Sequence, residues 1–240
     1  MARKHLIIAN INKKQQAQAK IWQKLAREIK AAAKIGGVNV DANPRLKMAI
    51  DKAVQNGLSS ESIERNLHGN KKDDAELINI EYECYGPNGI QIIVKALADN
   101  TNRVASNLRG FLSKLHGEIA KPNSVKIFFD NLGYILVEKT NNLTIDDIME
   151  YTINNNIVDI NEFDNVFEIK TTPADFYSAR DNLKNNKCII LDSEIKLIAQ
   201  NKITKLDHDA KERFNKFISS CEEDDDIQWV VTNYEESDEN

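Results

Sequence analysis

The chain has 240 residues, 41% of them hydrophobic, which is enough for two or three domains with ordinary cores. Its three cysteines, at positions 84, 188 and 221, are too few and too widely spaced for a disulfide framework or a zinc ribbon, so we expect a reducing, cytoplasmic setting. No apolar run approaches the roughly 20 residues that cross a bilayer, so we expect no membrane segment.

The net charge of −5 conceals two parts of opposite sign. Residues 1–72, called the head below, carry 15 Lys and Arg against 5 Asp and Glu, a net charge of +10. Residues 73–240, the body, carry the remaining 17 basic and 32 acidic residues, a net charge of −15. This asymmetry predicts a basic element that binds a polyanion, attached to a body that does not.

The apolar residues of the head recur with the period of α-helices, which predicts a small helical bundle. Residues 15–34 place Ile21, Leu25, Ile29 and Ala32 on one side of a helix that should end at Gly36-Gly37. A second helix should begin at Asn43-Pro44, a good cap and first-turn pair, and end at Gly57. Its apolar face should include Leu46, Ile50, Ala53 and Val54, and a third helix should cover residues 60–67.

The opposite side of the first helix is basic. Because it presents successive cations to a phosphate backbone, we predict that the head binds nucleic acid there. The predicted binding residues combine this face with its basic flanks: Lys13, Lys14, Lys20, Lys24, Arg27, Lys30, Lys34 and Arg45. The alternative is a merely solvated helix face. The loop at 36–42 is longer than the tight turn of a helix-turn-helix motif, which disfavours that motif in the head. In the body, the aromatic side chains expected on strands could stack on bases, but they fit a protein core better: Tyr82, Phe128 and Phe129.

The body changes from helical to strand period after the linker at residues 69–74. A hairpin around Gly86-Pro87-Asn88-Gly89, a helix from residue 102 and a strand over 124–130 give a ββαβ start. A second split β-α-β unit follows, in which strands are expected at 134–139 and 188–192 and a further extended piece at 195–199, and a last helix and strand complete the first. We therefore predict an α+β fold in three parts: a basic helical domain at 1–72, a discontinuous α/β domain at 76–131 and 206–240, and an inserted α/β domain at 132–205.

Short motifs follow one another in a fixed order along nearly the whole chain. They are Ala9-Asn10-Ile11, Arg27-Glu28-Ile29, Asn43-Pro44-Arg45-Leu46, Ile63-Glu64-Arg65, Tyr85-Gly86-Pro87-Asn88-Gly89, Asp99-Asn100-Thr101-Asn102-Arg103 and Asp224-Asp225-Asp226-Ile227-Gln228. In this order and spacing the chain resembles the YebC family, which includes bacterial YebC proteins and the mitochondrial translational activator of cytochrome oxidase. The resemblance implies a helical domain followed by two ferredoxin-like α/β domains, the third inserted into the second.

The start of the chain departs from the family pattern. Most members begin with Gly-His-Ser-Lys-Trp-Ala-Asn-Ile, whereas this chain has Arg3-Lys4-His5-Leu6-Ile7-Ile8-Ala9-Asn10-Ile11 and lacks that tryptophan. We therefore interpret the chain as a divergent member with altered target recognition.

No catalytic, metal or cofactor constellation emerges from the residues. The four histidines are scattered, and the acidic run Glu222–Asp226 lacks the spaced ligands of a calcium loop and reads as a solvated loop. The resemblance implies a non-enzymatic regulator of gene expression, acting in translation at the ribosome or by binding DNA in transcription, with a slight preference for translation. The alternative is a protein–protein adaptor whose acidic body docks a basic partner.

Overall fold

The computed structural model describes residues 2–68, 77–140 and 142–235, and their side chains from residue 18 onward. The chain divides into two compact units. The first comprises Met1–Lys126 and Lys202–Asn240, and the second comprises Ile127–Asn201 between them. The predicted fold class, α+β with a helical part and two sheet domains of which one interrupts the other, is confirmed. The linker at 69–74 lies outside the described residues, so the predicted domain boundary near residue 72 stays a prediction.

The head packs three helices, α1 (Ala2–Gly36), α2 (Pro44–Gln55) and α3 (Ser60–Leu67), around a core of its own. Leu25, Ile29 and Leu46 lie at the centre of that core. The Asn43 side chain accepts the Leu46 N–H at 3.1 Å, which caps α2 as the sequence predicts. Gly37 has a φ of 82°, the left-handed conformation that closes α1.

Two apolar residues expected in the head core lie at its surface instead. Ile21 is 39% exposed and Val54 is 58% exposed. Both occupy the edge of the apolar stripe on their helix, and the other two helices of the head do not cover a stripe of that width. The first helix also begins well before residue 15, where the prediction placed its start.

The first sheet contains β1 (Ile78–Tyr85), β2 (Gln91–Ala98), β3 (Glu118–Ile119) and β8 (Ile227–Thr232), in the order β3-β1-β2-β8, with every pairing antiparallel. Two helices, α4 (Thr101–Leu115) and α7 (His208–Glu223), bury one face of it. Alternate residues of β1 and β2 meet them, including Cys84, Ile92 and Val94. This layer of two helices on a four-stranded sheet is built from the two segments that flank the inserted unit in the sequence.

A buried carboxylate fixes the segment that leads out of this sheet. The Glu83 side chain on β1 is 7% exposed and accepts the backbone N–H groups of Asn123, Val125 and Lys126 at 2.5, 2.6 and 2.7 Å. Burial alone would raise the pKa of Glu83, but these three donors and the Lys126 charge outweigh it and hold the pKa below its usual value. The carboxylate therefore clamps residues 123–126 as an anion.

The inserted unit alternates strands and helices: β4 (Phe129–Glu138), α5 (Ile145–Tyr151), β5 (Ile157–Glu162), β6 (Val166–Thr171), α6 (Phe176–Asn185) and β7 (Ile190–Ala199). Its antiparallel sheet has the order β5-β6-β4-β7, the arrangement of a ferredoxin-like βαββαβ domain. Ile135, Phe167 and Ile169 from the strands pack against Phe176 and Leu183 from α6.

Three details of the predicted strands are wrong. Residues 124–130 do not form one strand, because Lys126–Phe128 is a short 3-10 helix and β4 starts at Phe129. The expected strand at 134–139 is the second half of that same β4. The two pieces expected around 188–192 and 195–199 are one strand, β7, which pairs with β4 along its length and bulges opposite Leu136 and Val137.

Candidate nucleic-acid interface

The basic face of α1, comprising Lys20, Lys24, Arg27, Lys30 and Lys34, lies opposite the buried Leu25, Ile29 and Ala32. From Lys20 to Lys34 it extends about 21 Å along the helix. Lys34 is exposed, and the other four are half-buried. Lys13 and Lys14 also fall within α1, but their side chains lie outside the described residues.

Arg27, at the middle of this face, binds the chain's own acidic run, residues 222–226, called the acidic segment below. Its guanidinium donates to the backbone oxygen of Asp225 at 2.5 Å and to the Asp226 carboxylate at 3.2 Å. It also donates to the backbone oxygen of Leu97, at the end of β2, at 3.1 Å. One side chain of the head thus joins two separate points of the first sheet domain.

Lys24, one turn earlier on α1, reaches the end of α7. Its ammonium group donates to the backbone oxygen of Glu222 at 2.9 Å and that of Cys221 at 3.4 Å. The last carbonyls of a helix carry partial negative charge and lack partners within the helix, so a cation stabilises them. Burial lowers the pKa of Lys24, although the carboxylates of Asp224, Asp225 and Glu222 pull it upward.

Arg45, on α2, makes a third contact between head and sheet. It donates to the Glu28 carboxylate on α1 at 2.9 Å and to the side-chain oxygen of Asn79 on β1 at 2.9 Å. Lys24, Arg27 and Arg45 therefore contact protein groups of the first sheet domain or its flanking loop. Their assignment to nucleic acid stays a prediction.

The acidic segment is not simply a solvated loop, and that expectation is wrong for its last residue. Asp226 is 5% exposed, because its carboxylate lies between Arg27 of the head and Arg103 of α4. Arg103 donates to it at 2.7 and 2.8 Å. Asp224 accepts the Asp226 N–H and the side-chain amide of Asn107, both at 2.9 Å. The segment is a shaped turn in which only some carboxylates face water.

A cavity of about 260 Å³ opens where the basic face meets the acidic segment. Lys24, Arg27 and Lys30 line it from α1, Asn66 lines it from α3, and Asp225 lines it from the acidic segment. Cations of the head and an exposed carboxylate of the body therefore share one recess.

The remaining candidate groups do not assemble into a site among the residues that the structure describes. No three His, Cys, Asp or Glu side chains are placed there to hold a metal ion. Phe129 is buried, Tyr82 packs on the core of the first sheet, and Phe128 lies in the 3-10 helix, so none presents a base-stacking surface on a strand. No helix in the described ranges is long and apolar enough to span a membrane.

The sequence did not predict the groups that bind the basic face or hold its acceptors in place. Arg103 and Asp226 are 123 residues apart in the chain, and Leu97 contributes only its backbone oxygen. The one signal available was charge complementarity between a basic helix and an acidic run, and that complementarity does not specify which side chains meet.

Two family models match the chain. Residues 3–73 match the model described as the TACO1/YebC protein N-terminal domain, and residues 77–234 match the one described as the TACO1/YebC second and third domain. Together they cover most of the described structure, including α1, the acidic segment and the inserted unit.

Curated bacterial proteins are similar to this chain over nearly their whole length. A probable transcriptional regulatory protein of Ureaplasma urealyticum is 54% identical over 236 residues, covering 98% of this chain and 99% of that protein. One from Hathewaya histolytica is 36% identical, covering 96% and 94%. The crystal structure of a conserved hypothetical protein, Aq1575 of Aquifex aeolicus, superposes with a TM-score of 0.74 at 29% identity, covering 92% and 91%.

Proposed function

The chain belongs to the TACO1/YebC family, and from this membership we propose that it is a non-enzymatic regulator that binds nucleic acid through the basic face of α1. The observation that carries the proposal is the helix itself. Five cations lie along one face of α1, on a head of net charge +10, and the opposite face is committed to the head core. Such a face attracts a phosphate backbone without reading its sequence.

The target that we favour is the ribosome, with DNA as the second candidate. A body of net charge −15 with one basic head suits a factor held against ribosomal RNA and proteins slightly better than a free DNA reader. The relatives are named probable transcriptional regulatory proteins, which favours DNA. Co-sedimentation with ribosomes at low and high salt, beside footprinting on DNA, separates the two.

The test of the interface is a charge reversal at its two ends. The Lys20→Glu/Lys34→Glu double variant should bind RNA or DNA more weakly than the parent. The log–log slope of affinity against salt should lie at roughly −3 to −5 in the parent and shrink by about 2 in the variant, since two fewer phosphates are neutralised. Fluorescence anisotropy over a salt series measures both quantities.

The matched control reverses two exposed lysines of the body, Lys114 and Lys184, to glutamate. The net charge then changes equally in both variants. If the control loses as much affinity and slope as the head variant, binding follows overall charge and the basic face is not the interface. If neither variant changes binding at all, the adaptor alternative, in which the acidic body docks a basic protein, replaces the proposal.

A further inference from the structure

The two cations at the centre of the basic face are held by an acidic part of the same chain. Lys24 binds the backbone oxygens of Cys221 and Glu222, and Arg27 binds those of Asp225 and Leu97. These acceptors are backbone carbonyls, to which the Asp226 carboxylate adds one anionic oxygen at Arg27. A nucleic-acid backbone offers phosphate oxygens spaced along a chain to the same donors. The acidic segment and a phosphate backbone would therefore use the same hydrogen-bond donors.

The shape of the contact supports competition more than permanent structure. The cavity beside Lys24, Arg27 and Lys30 is open, and Asp225, whose side chain is exposed, supplies its acidic wall. Contacts between domains of one chain permit relative motion unless they are large and apolar. Here the contacts described at Lys24 and Arg27 are polar, and Arg27 keeps 28% of its side chain exposed.

We propose that the acidic segment, residues 222–226, is an internal competitor that occupies Lys24 and Arg27 of the basic face and must release them before nucleic acid binds the whole face. The inference rests on the proposed function, since it concerns the regulation of that interface. Binding is then coupled to opening of the contact between α1 and the end of α7. The apparent dissociation constant of the full chain equals the intrinsic one divided by the open fraction.

The first test weakens the attraction of the segment for the basic face without touching that face, since it neutralises the two carboxylates nearest to Arg27 and leaves the backbone oxygens in place. Asp225→Asn and Asp226→Asn should bind a labelled poly(U) oligonucleotide more tightly than the parent, by about tenfold if the parent is open for a tenth of the time. The full chain is used, and anisotropy gives the affinity. The control is Asp209→Asn, at the other end of α7, where the side chain is 83% exposed. It makes the same charge change about 24 Å away along the helix and should alter affinity by no more than about twofold.

The second test asks whether the competitor hides a particular cation. Lys24→Gln in the parent removes a group that is already occupied, so its cost in affinity should be small. In the Asp226→Asn background, where the ion pair between the segment and Arg27 is lost and the contact opens more often, the same substitution removes a more available phosphate contact, and its cost should be several-fold larger. A simple loss of negative charge does not produce this dependence on background.

Each outcome decides between the alternatives. Tighter binding by both acidic-segment variants but not by Asp209→Asn, with a background-dependent cost of Lys24→Gln, supports the competitor. Equal affinities in all three aspartate variants, or an equal cost of Lys24→Gln in both backgrounds, overturns it while the proposed function stands. Absence of binding by the parent and by every variant, to poly(U) and to duplex DNA alike, overturns the proposed function itself.

Discussion

Two loops of the first unit are each held by a buried carboxylate, and the two carboxylates are stabilised in different ways. Glu83 receives three backbone N–H groups from the adjacent segment 123–126, so all of its partners belong to one sheet domain. Asp226 receives two arginines, Arg103 from α4 and Arg27 from the head. The hydrogen bonds that hold the first loop persist as long as its domain is folded. The second depends on a side chain that can leave, which makes it suitable as a releasable contact.

A cysteine lies beside each of these loops, and the reactivity of its thiol measures how often the loop opens. Cys84 follows Glu83 on β1, and Cys221 supplies one of the carbonyls that bind Lys24. Burial raises the pKa of each thiol to about 12, from an ordinary value of 9.0. Both thiols should therefore react with iodoacetamide about 1000-fold more slowly than an unperturbed thiol at mildly alkaline pH, because the thiolate is the nucleophile.

The internal reference for this measurement is Cys188, which is only half-buried. Mass spectrometry of the alkylated peptides should rank Cys188 as the fastest of the three thiols. In the Asp226→Asn variant, the alkylation rate of Cys221 should rise more than that of Cys84. If the alkylation rates of both thiols rise equally, the two loops open together, and the distinction between a fixed and a releasable loop is wrong.

The fixed loop should respond strongly to loss of its charge. Glu83→Gln keeps the shape but replaces one acceptor oxygen by an NH₂ group, which leaves a backbone donor facing a donor. The free energy of opening at residues 123–126 should fall by about 2 kcal/mol, measured by hydrogen exchange at the Val125 and Lys126 amides. Glu81→Gln on the same strand is the control, since its exposed ion pair with Lys126 contributes at most about 1 kcal/mol.

The same carboxylate predicts a pH dependence with a definite sign. Because the pKa of folded Glu83 lies below its value in an unfolded chain, its contribution to stability is complete above about pH 4.3. It is lost as the pH falls from there through the folded pKa. Protection of the Val125 amide should therefore decline in that acidic window in the parent and stay flatter in Glu83→Gln.

Much of the fold follows from local signals in the sequence. The Asn43-Pro44 start of α2, the left-handed glycine after α1 and the change to strand period near residue 78 are each determined within a few residues. The misjudged strand ends have a tertiary cause. Both β4 and β7 continue where the sequence suggested breaks, because each pairs with the other for nearly its full length.

The candidate site was predictable only in part. A helical projection identifies the basic face, since it needs nothing beyond the 100° turn per residue. It cannot show that Lys24 and Arg27 bind carbonyls, because backbone oxygens such as those of Glu222 and Leu97 leave no trace in residue type. It also cannot separate Asp226, which is buried, from its exposed neighbour Asp225. Asp226 is buried because the folded chain places Arg103 and Arg27 against its carboxylate.

The releasable loop should lose less stability than the fixed one when its carboxylate is neutralised. Asp226→Asn keeps an oxygen that can still accept one hydrogen bond, and the Arg27 side chain can turn to water. We expect the free energy of opening at the Leu97 amide, which donates to the Asp226 backbone oxygen at 2.8 Å, to fall by about 1 kcal/mol.

A double-mutant cycle with Arg27→Gln isolates the part of that loss that belongs to the head. Because Arg27 and Asp226 touch, the two single effects should not add, and their coupling should be about 0.5 to 1 kcal/mol at low salt. Added salt should weaken the coupling, since Arg27 is partly exposed and its charge is screened. It should leave the Glu83→Gln effect nearly unchanged, because that clamp consists of buried backbone hydrogen bonds. A coupling near zero at low salt would mean that Arg103 alone holds Asp226, and that the head is not attached through this carboxylate.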